Sequence, residues 1–518
     1  MHNQSPTVYF PHQPPPRRWW LIVLSTLTAV VVCVGGYAAF WYFHSSPTGI
    51  GVTEIGNEPI GISDSSFAFD TTLPDGPLKS QAAETYRQNK NDLSPVISLL
   101  NRAIAENSND AEALIYKEDL DVLNSHSPYV TIVVGTMLSG TNATIGRDDL
   151  QGAYVAQKEF NDGSKLHGGV QVRLLIANAG NKTDYISNIT QQVAQLAQTD
   201  KTFVGVIGWP FSSYTFSAIN PLSSAQIPLV SETASSDELT NASPYFFRVV
   251  PSNKQQGIRG AQYAINVLGK KHVALFYDQQ DPYSQSLAQD FLQEFQKDGG
   301  QLAVEEKYTV GQPGTLPGEL QDALNKSPDL IYFSGYATDV STLLSNPLPS
   351  DLPVLGGDAL YELGGYSTSA RASGGFTHLR FTAFAYPDEW DVLGYSPKPV
   401  FFSEYPAYFD PNGSHQNDPH PYGFIRADND VILSYDATLA MLSGCNVALS
   451  SGKQSITPGD LESALRNLNG ANAIQGVSGQ IAFGPDGDPI NKAIVLLSVD
   501  SQGFIHMDLT ILGQFIKQ

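Results

Sequence analysis

Cysteine is nearly missing from this chain. Only Cys33 and Cys445 occur among 518 residues, which excludes a disulfide framework and any cysteine-based metal site. Charge is thin as well. Asp, Glu, Lys and Arg make up 15% of the chain, and the basic residues are the scarcer, 29 against 51 acidic, for a net charge of −22. Such a chain is not built to hold nucleic acid or to lie on an anionic membrane surface. Catalytic signatures are missing too. No G-x-S-x-G, H-E-x-x-H or P-loop lysine motif occurs, so neither a hydrolase nor an NTPase is indicated, no cofactor is called for, and the chain reads as a non-enzyme. The metal-like signals are weak. Asp410–Asp418 (DPNGSHQND) lacks the Gly and terminal Glu of an EF-hand, and His415 and His420 stand in a Pro-rich loop, so both read as solvated loop. Glu389 and Glu404 read as surface acids.

What is present begins with a long apolar run, Trp19–Phe43, preceded by Arg17-Arg18 and flanked by Trp19-Trp20 and Trp41-Tyr42. A run of about 25 residues spans a bilayer, and aromatic pairs suit its two interfaces. Positive charge on the near side only places residues 1–18 inside and the bulk of the chain outside. The expectation is a single-pass anchor in the cell membrane. A cleaved signal peptide is the rival, through the small-x-small pattern Gly36-Tyr37-Ala38. Cys33 follows Val32 and does not read as a lipoprotein cysteine.

Residues 44–77, rich in Gly, Ser, Pro and Asp, read as an extended linker. Residues 78–126 read as a helical segment. Its middle helix has Ser94 as N-cap, Pro95 at the first position, and Val96, Leu99, Leu100, Ala103 and Ile104 on one face. Leu99–Tyr116 resembles a tetratricopeptide helix-turn-helix, and a single such unit must pack on a neighbour. The segment is expected to be a spacer below the main domain, independent of ligand binding.

From Tyr129 the pattern turns to short buried strands alternating with helices. Strands are predicted at Val130–Val134, Val172–Ile176, Phe203–Ile207, Val273–Tyr277, Leu330–Phe333 and Val354–Leu355. Helices are predicted at Asp149–Phe160, Ile186–Ala197, Gln256–Leu268, Ser284–Gln296 and Val340–Leu344. This alternation predicts an α/β class with parallel sheets covered on both faces. About 390 residues exceed one doubly wound unit, so two lobes are expected in 127–518. Lobe 1 is placed at about 127–250 and 386–475, and lobe 2 at about 251–385 and 476–518. The Gly/Pro/Asp-rich stretch Pro406–Asp430 is read as a loop.

Gly208–Thr240 is the stretch around which the rest is organised. It carries hydroxyl clusters at Ser212-Ser213 and Ser231–Ser236, each just after a predicted strand. Hydroxyls and unpaired helix-start amides around one point suit a small anion such as a carboxylate, although serines also simply cap helices.

Several short signatures recur in order: Leu138-Ser139-Gly140, Leu150-Gln151-Gly152-Ala153, the Gly208–Thr240 stretch, Tyr277-Asp278 with Tyr283, Tyr435-Asp436-Ala437, and Gly476–Asp488 (GVSGQIAFGPDGD). Together they resemble the branched-chain amino-acid (leucine/isoleucine/valine type) solute-binding proteins of ABC transporters. The resemblance covers nearly all of 129–518 and implies the type I periplasmic-binding fold, two doubly wound α/β lobes joined by three crossings. It implies Ser212 for the ligand carboxylate and Thr233 and Ser235 for the amino-acid head. Tyr336 matches an aromatic hydroxyl on the second lobe, and Tyr283 a pocket tyrosine. Asp358 would pair with the ligand ammonium where the family often has Glu, with Ile145, Trp209, Pro210 and Phe211 as pocket walls. A zwitterion needs donors for its carboxylate and a counter-charge for its ammonium, and these residues would supply both.

The implied function is a membrane-anchored, extracytoplasmic receptor that delivers an amino acid or similar small polar solute to an ABC permease. The alternative is a sensor that reports the same ligand through its helical segment or a partner membrane protein.

Overall fold

The computed structural model describes residues 49–362, 366–418 and 421–517. The anchor expected at Trp19–Phe43 and the N-terminal residues 1–18 lie outside the described residues. Gly49–Gln518 forms one compact unit built on two seven-stranded sheets.

The first sheet has the order β1-β2-β4-β3-β5-β6-β7. Its centre is β3 (Tyr129–Thr136), parallel to β4 (Gln171–Asn178) and β5 (Phe203–Gly208), and β6 (Leu229–Ser231) and β7 (Phe246–Arg248) continue in parallel. Strands buried on both faces read as apolar runs because consecutive side chains enter opposite cores. Val130, Ile132 and Val134 enter one core and Val133 the other.

The second sheet has the order β16-β15-β12-β11-β10-β8-β9. Parallel β8 (His272–Tyr277), β9 (Gln301–Lys307), β10 (Leu330–Ser334), β11 (Val354–Gly356) and β12 (Leu379–Ala383) are followed by antiparallel β15 (Ile494–Val499) and β16 (Ile505–Leu512). A small hairpin, β13 (Ile474–Gly476) and β14 (Gly479–Ile481), stands apart.

The first lobe carries α1 (Gly76–Gln88), α2 (Ser94–Glu106), α3 (Ala111–Ser125), α4 (Ala143–Asp162), α5 (Ile186–Thr199) and α6 (Ser212–Ser224). The chain then crosses to the second lobe, with α7 (Asn253–Asn266), α8 (Pro282–Lys297), α9 (Leu316–Leu324), α10 (Ala337–Leu344) and α11 (Thr368–Ala372). After β12 it returns through α12 (Glu389–Val392), α13 (Phe401–Phe409), α14 (Asn429–Leu449) and α15 (Pro458–Arg466). The close approach of α4 to α14 explains the glycine in Leu150-Gln151-Gly152-Ala153: a Cβ on Gly152 would lie 2.2 Å from the Val431 carbonyl oxygen.

Four expectations need correction. Residues 44–77 are not an extended linker where they are described, because β1 (Val52–Ile55) and β2 (Glu58–Ser63) form a hairpin on the edge of the first sheet, antiparallel to β4. The turn at Gly56-Asn57 has φ of 59° and 65°, the pair of positive values that a tight two-residue hairpin turn demands. Ile60 and Ile62 drive the docking by burying completely.

The helical segment 78–126 is not a spacer. Tyr86, Val96, Leu100, Ile115 and Leu120 share one continuous core with Ile132, Leu174 and Leu150. Asp119 accepts hydrogen bonds from Gln157 (2.8 Å) and from the Leu174 amide of β4 (2.9 Å). Lys79 is buried between Asp110 and Glu112, and Glu112 in turn accepts the Phe69 and Asp70 amides.

The third crossing comes later than residue 476. Val477, Ile481 and Phe483 join the first lobe's core, Asp436 accepts the Val477 and Ser478 amides, and Asp488 pairs with buried Arg248 at 2.7 Å. Finally, Glu389 is not a surface acid but is buried.

Candidate functional site

Strand ends and helix starts from both lobes converge on one cavity, lined by Ile145, Pro210, Phe211, Ser212, Thr233, Tyr283, Tyr336 and Asp358. Eight of the ten residues expected at the site therefore meet there. Completing the lining are Ala359, Glu362, Asn429 and Asp430.

On the first lobe β5 ends at Gly208, whose φ is 123° and where a Cβ would lie 2.1 Å from the Gly135 carbonyl oxygen. That close approach lets the chain turn directly into α6. Helix α6 begins at Ser212, which lines the cavity, after Phe211 with no side-chain cap, so its positive dipole end lies at the cavity. The Ser212 hydroxyl oxygen accepts the Ser236 amide at 3.1 Å, which leaves its proton free to donate. Thr233 donates to the Pro210 carbonyl at 2.8 Å, fixing the neighbouring loop.

On the second lobe Asp358 follows β11. Its Oδ1 accepts hydrogen bonds from Gln256 Nε2 (2.7 Å) and the Tyr283 hydroxyl (2.9 Å). Burial pushes its carboxyl up to about 6, while those two donors hold it from rising further. Half-buried Glu362 is pushed up to about 8 by burial and then by Asp358 and Asp339. Asp430 is raised well above the usual carboxylate range by burial, with Asp428, Asp149, Glu362 and Asp358 adding repulsion. Among the described residues, no lysine or arginine lines this cavity. The lobes touch across it, the Phe211 ring of one meeting Tyr336 of the other edge-on at 5.3 Å between centroids.

Two expected residues lie elsewhere. Trp209 is no cavity wall, for it is 0% exposed and packs in the first lobe's core against Gly135. Ser235 is absent from the lining, and its carbonyl instead accepts the Asn253 amide at the start of α7, tying down the first crossing. Glu362, Asn429 and Asp430 escaped the sequence reading. Asp428-Asn429-Asp430 before an apolar run is a helix-start signal, and Asp428 does cap α14 by accepting the Val431 amide, but that signal announces a helix rather than a cavity. Among the described residues, no group of three or more His, Cys, Asp or Glu is placed to hold a metal ion.

A family model described as periplasmic binding protein matches residues 129–503. The chain belongs to this family. A curated relative, the amino acid binding protein of Pseudomonas aeruginosa, is 27% identical over 221 residues, which is 42% of this chain and 56% of that protein. The match thus spans little more than half of that relative's length. Solved structures of similar fold include a leucine binding protein from Thermotoga maritima, at 21% identity and a TM-score of 0.60 over 74% of this chain and 99% of that one. A solute binding protein from R. palustris in complex with 4-hydroxybenzoate matches at 17% identity and a TM-score of 0.59, over 75% of this chain and 98% of that one. These likenesses establish the two-lobed type I periplasmic-binding fold, with the cavity between its lobes. Residues 49–128 lie outside the family match, although they share the first lobe's core.

Proposed function

We propose that this periplasmic binding protein captures an α-amino acid between its lobes and delivers it to an ABC permease. One observation carries the reading: a single cavity has donors at one end and an uncompensated acid at the other. The uncapped start of α6 and the Ser212 hydroxyl suit a carboxylate. Asp358, whose side chain takes hydrogen bonds from the neutral Gln256 and Tyr283, suits an ammonium. Thr233, Tyr283 and Tyr336 complete the head-group site, and Ile145, Pro210 and Phe211 form its apolar wall. The names of the Pseudomonas aeruginosa and Thermotoga maritima proteins support an amino-acid ligand.

In this proposal the Trp19–Phe43 run tethers the protein to the membrane with the two lobes on the extracytoplasmic side. Calorimetry of the full chain with the common amino acids and with 4-hydroxybenzoate tests the ligand class. An α-amino acid is expected to bind at micromolar concentration, and binding of the hydroxybenzoate alone would overturn the reading. Sequencing the mature N-terminus tests the tether, which fails if the chain begins near Ala39.

A further inference from the structure

A second cavity lies beside the head-group site. It is wider than the first, and Ile145, Glu362 and Asp430 line both. Beyond that shared rim the wider cavity adds Asp148 and Asp428. Its lining includes one cation, Arg147, whose Nε is given to Asp70 at 2.6 Å. Behind the rim Asp149 and Glu232 are buried, each with one carboxylate oxygen that has no hydrogen-bond partner. The side that the two cavities share is therefore bordered by acids.

A second observation, independent of charge, comes from Asn429. It is 6% exposed and lines the first cavity, and its Nδ2 is given to Asp430 Oδ1 at 2.8 Å. Its Oδ1 has no partner. A buried amide oxygen without a donor is costly to fold, and here it stands beside a carboxylate on a cavity wall. An acceptor and an acid side by side recognise an N–H-bearing cation.

We propose that the ligand is a basic amino acid, with its α-carboxylate at the start of α6, its α-ammonium at Asp358, and its side-chain ammonium or guanidinium held by Asp430, Glu362 and the Asn429 oxygen. This rests on the amino-acid reading above and adds the side chain to it. A metal ion is not the occupant favoured, because the acids are not grouped with metal-holding geometry. A bare diamine would leave the donors at Ser212 unused.

The test compares L-lysine, L-arginine, L-norleucine and cadaverine by calorimetry on the full chain, together with Glu362→Gln and Asp430→Asn. Norleucine keeps lysine's length without its terminal charge. Lysine or arginine is expected to bind about 100-fold more tightly than norleucine, in line with one desolvated charge pair. Each variant should lose at least tenfold for the basic ligand while norleucine changes less than twofold, which also shows that the variant is folded. Norleucine binding as tightly as lysine and arginine to the wild type overturns the side-chain assignment alone and leaves the amino-acid reading standing. Cadaverine matching lysine, or no amino acid binding at all, overturns that reading and the inference with it.

Discussion

Gln256 holds Asp358 by both ends of its amide. Its Nε2 donates to the carboxylate at 2.7 Å, and its Oε1 accepts the Asp358 backbone amide at 2.8 Å as well as the Thr382 hydroxyl at 2.8 Å. The acid is thereby aimed before any ligand arrives. Gln256→Leu keeps the volume and removes both bonds. With hydrogen bonds to charged groups worth about 1.5–3 kcal/mol, amino-acid affinity should fall by about tenfold or more in calorimetry. Unchanged affinity would mean that Gln256 does not set the orientation of Asp358.

Asp358→Asn removes the counter-charge while keeping shape. Loss of one partner of a desolvated charge pair costs about 2–5 kcal/mol, whereas Ser212→Ala gives up one hydrogen bond worth roughly 1.5–3 kcal/mol. The aspartate variant should therefore be the weaker binder. The reverse order, in proteins shown by circular dichroism to be folded, would move the ammonium away from Asp358.

Binding should depend on pH with a definite sign. The Asp358 carboxyl is pushed up to about 6, so it is mostly protonated at pH 5 and mostly ionised at pH 7. An ammonium favours the ionised form and drives the proton off. Affinity should thus rise from pH 5 to pH 7, by up to about tenfold per unit below the pKa. Calorimetry in two buffers of different ionisation enthalpy should register proton release near pH 6, and proton uptake would contradict the assignment.

Stability should run the other way. Glu232 is 1% exposed and is pushed up to about 8, chiefly by burial. Between its ordinary value and 8, the folded protein keeps a proton that the unfolded chain has lost. Folded-state stability from this group is therefore fully present at low pH and declines as pH rises through that window. Glu232→Gln removes the titration. In thermal melts the wild type should lose several degrees more than the variant between pH 5 and pH 8. Parallel slopes would show that Glu232 is not protonated in the fold.

Removing residues 49–126 should abolish folding rather than leave binding intact. Val96, Leu100, Ile115 and Leu120 are fully buried in the first lobe's core, and each such side chain contributes about 1.5–3 kcal/mol. Together they match the whole stability of an ordinary domain, about 5–15 kcal/mol. A chain starting at Ser127 is expected to aggregate on expression. A soluble, cooperative melt from that chain would disprove it.

The buried strands were legible because runs such as Ile132–Val134 and Leu174–Ile176 admit little else when helical stretches flank them. The start of α6 was legible for a local reason, serines placed directly after a strand. Asp358 was found by resemblance, and its double hold by Gln256 was out of reach, since the two residues are 102 apart in sequence. Asn429 and Asp430 reach the cavity through tertiary approach alone, and Glu362, four residues after Asp358, stands in a segment that local patterning shows only as a turn. Trp209 was misplaced because the resemblance set it in the wall with Pro210 and Phe211, whereas Gly135 leaves room for its indole in the core. The Gly56-Asn57 hairpin turn was hidden by a Gly- and Ser-rich composition that also describes a linker.

The hairpin has a bearing on how this protein behaves in a crowd. Without it β4, an eight-residue apolar strand, would end the first sheet with its backbone bare, and such an edge invites pairing with other chains. Strand β2 covers Ile176–Asn178. Along the remainder, Asn161 takes the Val172 amide at 2.7 Å and Asp119 the Leu174 amide at 2.9 Å. The outermost strand is then β1, only four residues long, with Thr53 and Glu54 exposed. At one end of the second sheet stands β9, where exposed Glu305 and Lys307 serve the same purpose. The segment ahead of the family fold thus closes one long edge through which neighbouring copies could stick.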